Sequence, residues 1–204
     1  LAKITGLQGD IRMGEYSLTR DMTPDEILSV LTSGKSLLHP FTVPEGYNIF
    51  EIANLLEQNG VCDREEALRV FRDQDLIEEL LGQAHESLEG YLFPETYQVT
   101  KYTTIEEIAR LMVERFLEVY QSIPKTNPVQ GLSRHDIVTL ASVIEKETGV
   151  PEERPRISSV FHNRLERKMR LQSDPTIIYG LWLERNRPVK NIRRADIKKP
   201  TPYN

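Results

Sequence analysis

The sequence predicts an α+β chain in two parts: a small α/β module over residues 1–88, then a mainly helical domain with a small sheet over residues 89–204. Three observations carry that expectation. A weak internal repeat runs through residues 3–60, where a shift of 25 positions places Glu26-Ile27 on Glu51-Ile52 and Val30-Leu31 on Leu55-Leu56. Beyond residue 104, apolar residues recur in segment after segment at the three-and-four spacing of amphipathic helices. Strand-like runs are few and short, namely Phe41-Thr42-Val43 and the stretch that follows Pro94.

Composition bounds the function. A chain of 204 residues with 39% hydrophobic and 28% charged residues can bury a real core, in one large domain or two small ones, and reads as a soluble globular portion. No apolar run approaches the ~20 residues that cross a bilayer. A net charge of −5 gives no electrostatic footprint for nucleic acid. The last quarter is nevertheless locally basic, with Arg164, Arg167, Lys168, Arg170, Arg185, Arg187, Lys190, Arg193 and Arg194, which reads either as a solvated face or as a surface for an anionic polymer. A single cysteine, Cys62, excludes an internal disulfide and leaves the compartment open. The chain opens at Leu1 with neither an initiator methionine nor a signal peptide and stops at Thr201-Pro202-Tyr203-Asn204, so it reads as a piece of a longer protein.

Taken in order, each repeat unit reads as a short strand and a helix. In the first, Gly14-Glu15-Tyr16 precedes a helix capped by Thr23, with Pro24 at its first position and Ile27, Leu28 and Leu31 on the buried face. In the second, Phe41-Thr42-Val43 precedes a helix that faces inward through Ile49, Ile52, Ala53, Leu55 and Leu56. Residues 64–81 read as one helix capped by Asp63, burying Ala67, Leu68, Phe71, Leu76 and Leu80. Glu-Ser-Leu-Glu-Gly-Tyr-Leu-Phe-Pro-Glu-Thr-Tyr-Gln-Val at 86–99 interleaves aromatic and acidic residues. It is either a loop entering a strand, with Leu92 and Phe93 in the core, or a sugar-binding wall of Glu89, Tyr91, Glu95 and Tyr97. Residues 104–121 form a long amphipathic helix, and 124–131 a linker.

The chain reads as organised around the next helix, begun by Ser133 and Asp136 and stopped by Gly149 before Pro151. Two glutamates stand in its last turn. At about 100° per residue, Glu147 falls roughly 20° from Leu140, within the stripe of Ile137, Val143 and Ile144, whereas Glu145 lies about 140° round, at the stripe's edge. Burial there disfavours a charged carboxylate, so Glu147 reads either as an acid kept protonated near neutral pH or as the partner of an arginine from the next segment. A further helix from Pro151 to about Lys168 buries Ile157, Val160, Phe161 and Leu165, with Asn163 and Arg164 beside that stripe. Asp174 then caps a helix with Pro175 at its first position, and Gln172-Ser173-Asp174 is a short polar cluster suited to gripping a ligand. Residues 183–199 read as basic and irregular, with at most one helical turn at 194–197. His39, His85, His135 and His162 are scattered singly, and no His/Cys cluster has metal-ligand spacing, so no metal or cofactor is expected.

Four collinear motifs, Glu-Gly-Tyr-Leu-Phe-Pro-Glu-Thr-Tyr at 89–97, Ala-Ser-Val-Ile-Glu-Lys-Glu-Thr-Gly at 141–149, Val-Phe-His-Asn-Arg-Leu at 160–165 and Leu-Gln-Ser-Asp-Pro-Thr-Ile-Ile-Tyr-Gly at 171–180, end in Pro-Thr-Pro-Tyr-Asn at 200–204. Together they resemble the YceG-like endolytic murein transglycosylases over nearly the whole chain from about residue 14. Residues 41–61 separately resemble the opening of a LysM peptidoglycan-binding repeat. The resemblance implies a LysM-like subdomain, then a catalytic domain whose C-terminal part lies beyond this chain, and a single-pass membrane anchor upstream. It implies action on the extracytoplasmic side upon nascent peptidoglycan glycan strands, beside cell-wall synthases such as penicillin-binding proteins. It also implies Glu147 as the catalytic acid, around which Glu145, Glu89, Tyr91, Glu95, Tyr97, Asn163, Arg164, Gln172, Ser173, Asp174 and Tyr179 are the residues expected to bind substrate. The rival expectation is a non-catalytic peptidoglycan-binding scaffold, in which Glu147 is merely salt-bridged to Arg164 or Arg154.

Overall fold

The computed structural model describes residues 6, 9–124, 131–189 and 191–203. In chain order its elements are α1 (Pro24–Thr32), β1 (His39–Thr42), α2 (Ile49–Gln58), α3 (Arg64–Val70), α4 (Gln74–Leu81), β2 (Thr96–Val99) and α5 (Ile105–Ser122). These are followed by α6 (Arg134–Glu147), a 3-10 turn (Pro151–Glu153), α7 (Arg154–Glu166), α8 (Asp174–Arg185) and the short α9 (Arg194–Ile197). The α+β class holds, with helix dominant and one two-stranded sheet among the described residues. No helix among the described residues is long and apolar enough to cross a membrane.

Two compact units divide the chain at Pro124 and Lys125. The expected break at residue 88 does not coincide with this division, because the 89–99 segment is built into the first unit. There β1 pairs antiparallel with β2, Phe41 opposite Tyr97 and His39 opposite Val99. No strand precedes α1 among the described residues, so the expected strand–helix repeat is half realised. Capping boxes start α1, α2 and α5: Thr23, Asn48 and Thr104 accept from the third helical N–H, and Glu26, Glu51 and Glu107 reach back to the cap. The expected helix over 64–81 is two helices. Asp73 accepts from the Leu76 N–H and starts α4 afresh, and α4 ends on Gly82 at φ 74°, a left-handed position that costs a glycine little. The core joins Ile49, Phe50, Ile52, Ala53 and Leu56 of α2 with Phe71, Ile77 and the Ile108, Met112 and Val113 face of α5, each nearly or wholly buried.

The second unit has a smaller core, in which Leu140 and Val143 of α6 and Phe161 of α7 gather Leu132, Ile144, Ile157 and Leu171. The linker expected at 124–131 falls largely on residues 125–130, outside the described ones, as do Lys190 and Asn204. Helix α6 begins on the Ser133–Asp136 capping box, with Asp136 Oδ2 accepting from the Ser133 N–H at 2.8 Å and from its hydroxyl at 2.7 Å. Asp174 opens α8 as its first helical residue with Ser173 at the cap, so the helix begins one residue earlier than expected. The end of the chain folds back on α8: a Cβ on Gly180 would stand 2.8 Å from Cβ of Tyr203, and Tyr179 meets the Tyr203 ring edge-on at 5.7 Å.

Two outcomes follow from this packing. Ser133→Ala should cost about 1 kcal/mol of stability by denaturant titration. The hydrogen bonds from the Ser133 hydroxyl and N–H hold the Asp136 carboxyl below its ordinary range. Asp136's stabilising share is therefore complete above the usual aspartate pKa of about 4 and should fade as pH falls through its lower native value. Gly180→Ala should destabilise by ~1–3 kcal/mol through overpacking, and most of that penalty should vanish in a Tyr203→Gly background, which removes the Cβ standing nearest.

Candidate active site

Helix α6 is anchored by Leu140 and Val143, and its apolar contacts end near Ile144, so the last turn projects past the core of the second unit. Glu147, its final residue, is solvent-exposed, contrary to the buried position read from the helical stripe. Ile137, the other end of that stripe, is also 38% exposed, because the core is too short to cover four turns of helix.

What defines Glu147 is a hydrogen bond. Ser173, only 3% exposed, donates its hydroxyl to Glu147 Oε1 at 2.5 Å. A serine at an N-cap ordinarily accepts from the first turn of its own helix, but Ser173 makes no such cap bond and its side chain serves the carboxylate instead. A buried hydroxyl without a partner would cost ~1–3 kcal/mol, and a hydroxyl–carboxylate bond is short and charge-assisted. No ion pair to Glu147 occurs among the described residues. Its second oxygen, Oε2, has no protein hydrogen bond among them.

Arg164 holds the turn that delivers Ser173. Its Nη1 donates to the Leu171 carbonyl at 2.6 Å and lies within hydrogen-bonding distance of the Arg170 carbonyl and Gln172 Oε1. Gln172 stands at φ 54°, a left-handed conformation that a non-glycine residue holds only when its surroundings fix it. Arg164 and Gln172, expected around substrate, thus act first as the frame of the turn. Glu145 faces another way: Arg154 Nη2 pairs with its Oε1 at 2.9 Å, both side chains about a third exposed. The arginine partner considered for Glu147 therefore belongs to its neighbour. Asn163 and Asp174 are exposed, and their side chains make no hydrogen bond among the described residues. Tyr179 is half-buried against Tyr203. The sequence reading missed this service of Ser173 to Glu147 and the Gly180–Tyr203 contact. The motif Gln-Ser-Asp-Pro-Thr, with two cap-type residues in a row before a proline, signalled that one of them is free for other work.

The four expected sugar-wall residues lie in the first unit, tied into its framework. Tyr91 is fully buried, edge-on to Phe116 at 5.0 Å, and so offers no face for a sugar to stack on, which corrects its assignment. Tyr97 is 8% exposed and donates its hydroxyl to the Phe93 carbonyl at 2.6 Å, a second correction. Burial pushes its phenol well above the usual range, reinforced by the charge of Glu95. Glu89 accepts from the Ile49 N–H at 3.1 Å, at the positive N-terminal end of α2. Glu95 is exposed and pairs with Arg115 Nε at 2.8 Å. In this segment the structural reading, a loop entering a strand with Leu92 in the core, is the one that describes the molecule.

Comparisons with known proteins place this geometry in a family. An endolytic murein transglycosylase of Bacillus subtilis is 32% identical over 220 residues, covering 99% of this chain and 59% of that protein. The corresponding protein of Streptococcus pneumoniae is 30% identical, covering 96% of this chain and 40% of the relative. The chain thus spans about half the length of these curated relatives. A crystal structure of a YceG-like protein from Listeria monocytogenes superposes with a TM-score of 0.69 at 27% identity, over 99% of this chain and 70% of that one. The model of the YceG-like family matches residues 1–204, and with its whole length matched the chain belongs to that family.

Proposed function

We propose that the chain carries part of the catalytic machinery of an endolytic lytic transglycosylase, cleaving the β-1,4 bond between N-acetylmuramic acid and N-acetylglucosamine in nascent peptidoglycan. The observation that supports it most is Glu147: an accessible carboxyl group at a helix end, held through one oxygen by a buried serine, with its other oxygen unengaged among the described residues. The names of the curated relatives agree with that reading.

Glycosidases that use two carboxylates assign acid and base to different groups. Here one residue does both in turn. Protonated at Oε2, Glu147 gives its proton to the glycosidic oxygen as the bond from C1 breaks, and the substrate's own acetamido group stabilises the developing cation. The resulting carboxylate then takes the proton of the C6 hydroxyl, whose oxygen bonds to C1 and closes a 1,6-anhydro ring without water. Ser173 keeps Oε1 engaged, so that the same oxygen carries the proton in both steps. Asn163 and Asp174 extend the site along the glycan, and Tyr179 lines it. Action on the outer face of the cell membrane, company with cell-wall synthases and glycan positioning by the LysM-like N-terminal portion belong to the same proposal.

Turnover on purified glycan strands tests it. Glu147→Gln should lower turnover by ~10²–10⁴ with the circular dichroism unchanged, and Glu145→Gln by less. Ser173→Ala should lower kcat roughly tenfold or more at little change in KM, the loss expected of a misdirected acid, and Ser173→Thr should recover part of it. Strand binding without cleavage would favour the scaffold reading, and equal losses at Glu145 and Glu147 would remove Glu147 from its role.

A further inference from the structure

The cations Arg170, Lys198 and Lys199 of the basic last quarter play no part in the chemistry above, yet they line an open surface hollow. Arg170, Lys198 and Lys199 line a hollow of about 570 Å³ together with Ile197, Pro200, Thr201 and Pro202. No carboxylate lines it. Lys199 is occupied, donating to both oxygens of Glu184 at 2.6 Å. The side chains of Arg170 and Lys198 have no ion-pair or hydrogen-bond partner among the described residues. Two uncompensated cations facing one hollow, with a threonine hydroxyl beside them and isoleucine and proline surfaces around, match a carboxylate carried by short aliphatic side chains.

We propose that this cavity binds the terminal carboxylate of a peptide stem borne by the glycan strand. The site presupposes the peptidoglycan substrate proposed above. Its reach is appropriate: Arg170 is three residues from Ser173, so their Cα atoms are at most ~11 Å apart, and a five-residue stem extends ~17 Å from its sugar. A stem hanging from the muramic acid beside Glu147 spans that interval. The alanine methyl groups that end such a stem suit the Ile197, Pro200 and Pro202 walls. Arg170 also has its carbonyl within 3.3 Å of Arg164 Nη1, which couples the cavity rim to the turn that holds Ser173.

The test uses binding, so it does not depend on turnover. The free stem pentapeptide with a C-terminal carboxylate, and the same peptide with that terminus amidated, are titrated into the protein and followed by NMR chemical shift. The carboxylate form should bind about tenfold more tightly than the amide, the size of one charge-assisted contact, with a preference that shrinks as salt rises. Arg170→Gln/Lys198→Gln should abolish the preference, and both substitutions leave the backbone carbonyls in place. Arg167→Gln/Arg187→Gln, which removes the same charge from exposed positions off the cavity, should retain it. Equal binding of the two peptides, a preference that survives Arg170→Gln/Lys198→Gln, or one lost equally in Arg167→Gln/Arg187→Gln overturns the site. Failure of the protein to cleave strands while the preference persists would instead count against the transglycosylase reading alone.

Discussion

A single hydrogen bond, from the buried hydroxyl of Ser173 to Glu147, joins the two helix ends on which the site depends. For it to form, α6 must end at residue 147 and α8 must begin at 174, and the turn between α7 and α8 must pass close by. Leu140 and Val143 against Phe161 set the first condition, since they fix how far α6 runs beyond its core. Arg164, clamping the Leu171 carbonyl, sets the last by holding the turn in which Gln172 takes a left-handed backbone. None of these residues need touch substrate for its loss to be felt at Glu147.

Two glutamates two positions apart acquire different tasks from their surroundings. Their directions on the helix differ by about 200°, so they cannot share a partner. Glu145 meets the guanidinium of Arg154, a pairing that fixes its direction and spends its charge locally. Glu147 meets a neutral hydroxyl, which orients it without an opposing charge. In the proposed mechanism the residue acts as acid and then as base, a double role that a neutral partner permits and an arginine partner would oppose.

Much of the fold was legible because caps and apolar periodicity are local. Ser133 with Asp136, the Thr23 cap and the Leu140–Val143 stripe could be read directly, and each appears where its chemistry puts it. The failures have one cause, which is that burial is a property of the assembled chain. Glu147 follows the periodicity of a buried stripe, but the core stops one turn earlier. Tyr91 and Tyr97 were open to a sugar-wall reading because aromatic and acidic residues alternate around them, whereas the pairing of β2 with β1 and the packing of Phe116 draw both rings inside. Asp174 and Ser173 are equally good caps in sequence, and only the position of α6 decides which of them is spent on the carboxylate.

In the proposed mechanism one carboxylate closes the sugar ring with the substrate's own hydroxyl and admits no water to the new end. Cleavage of intact glycan strands in water enriched in oxygen-18, with the products weighed by mass spectrometry, tests it most directly. Every new muramic end should lack the heavy isotope and be lighter than a reducing end by one water. Incorporation of one oxygen-18 at each new end would contradict it and make the protein a hydrolase.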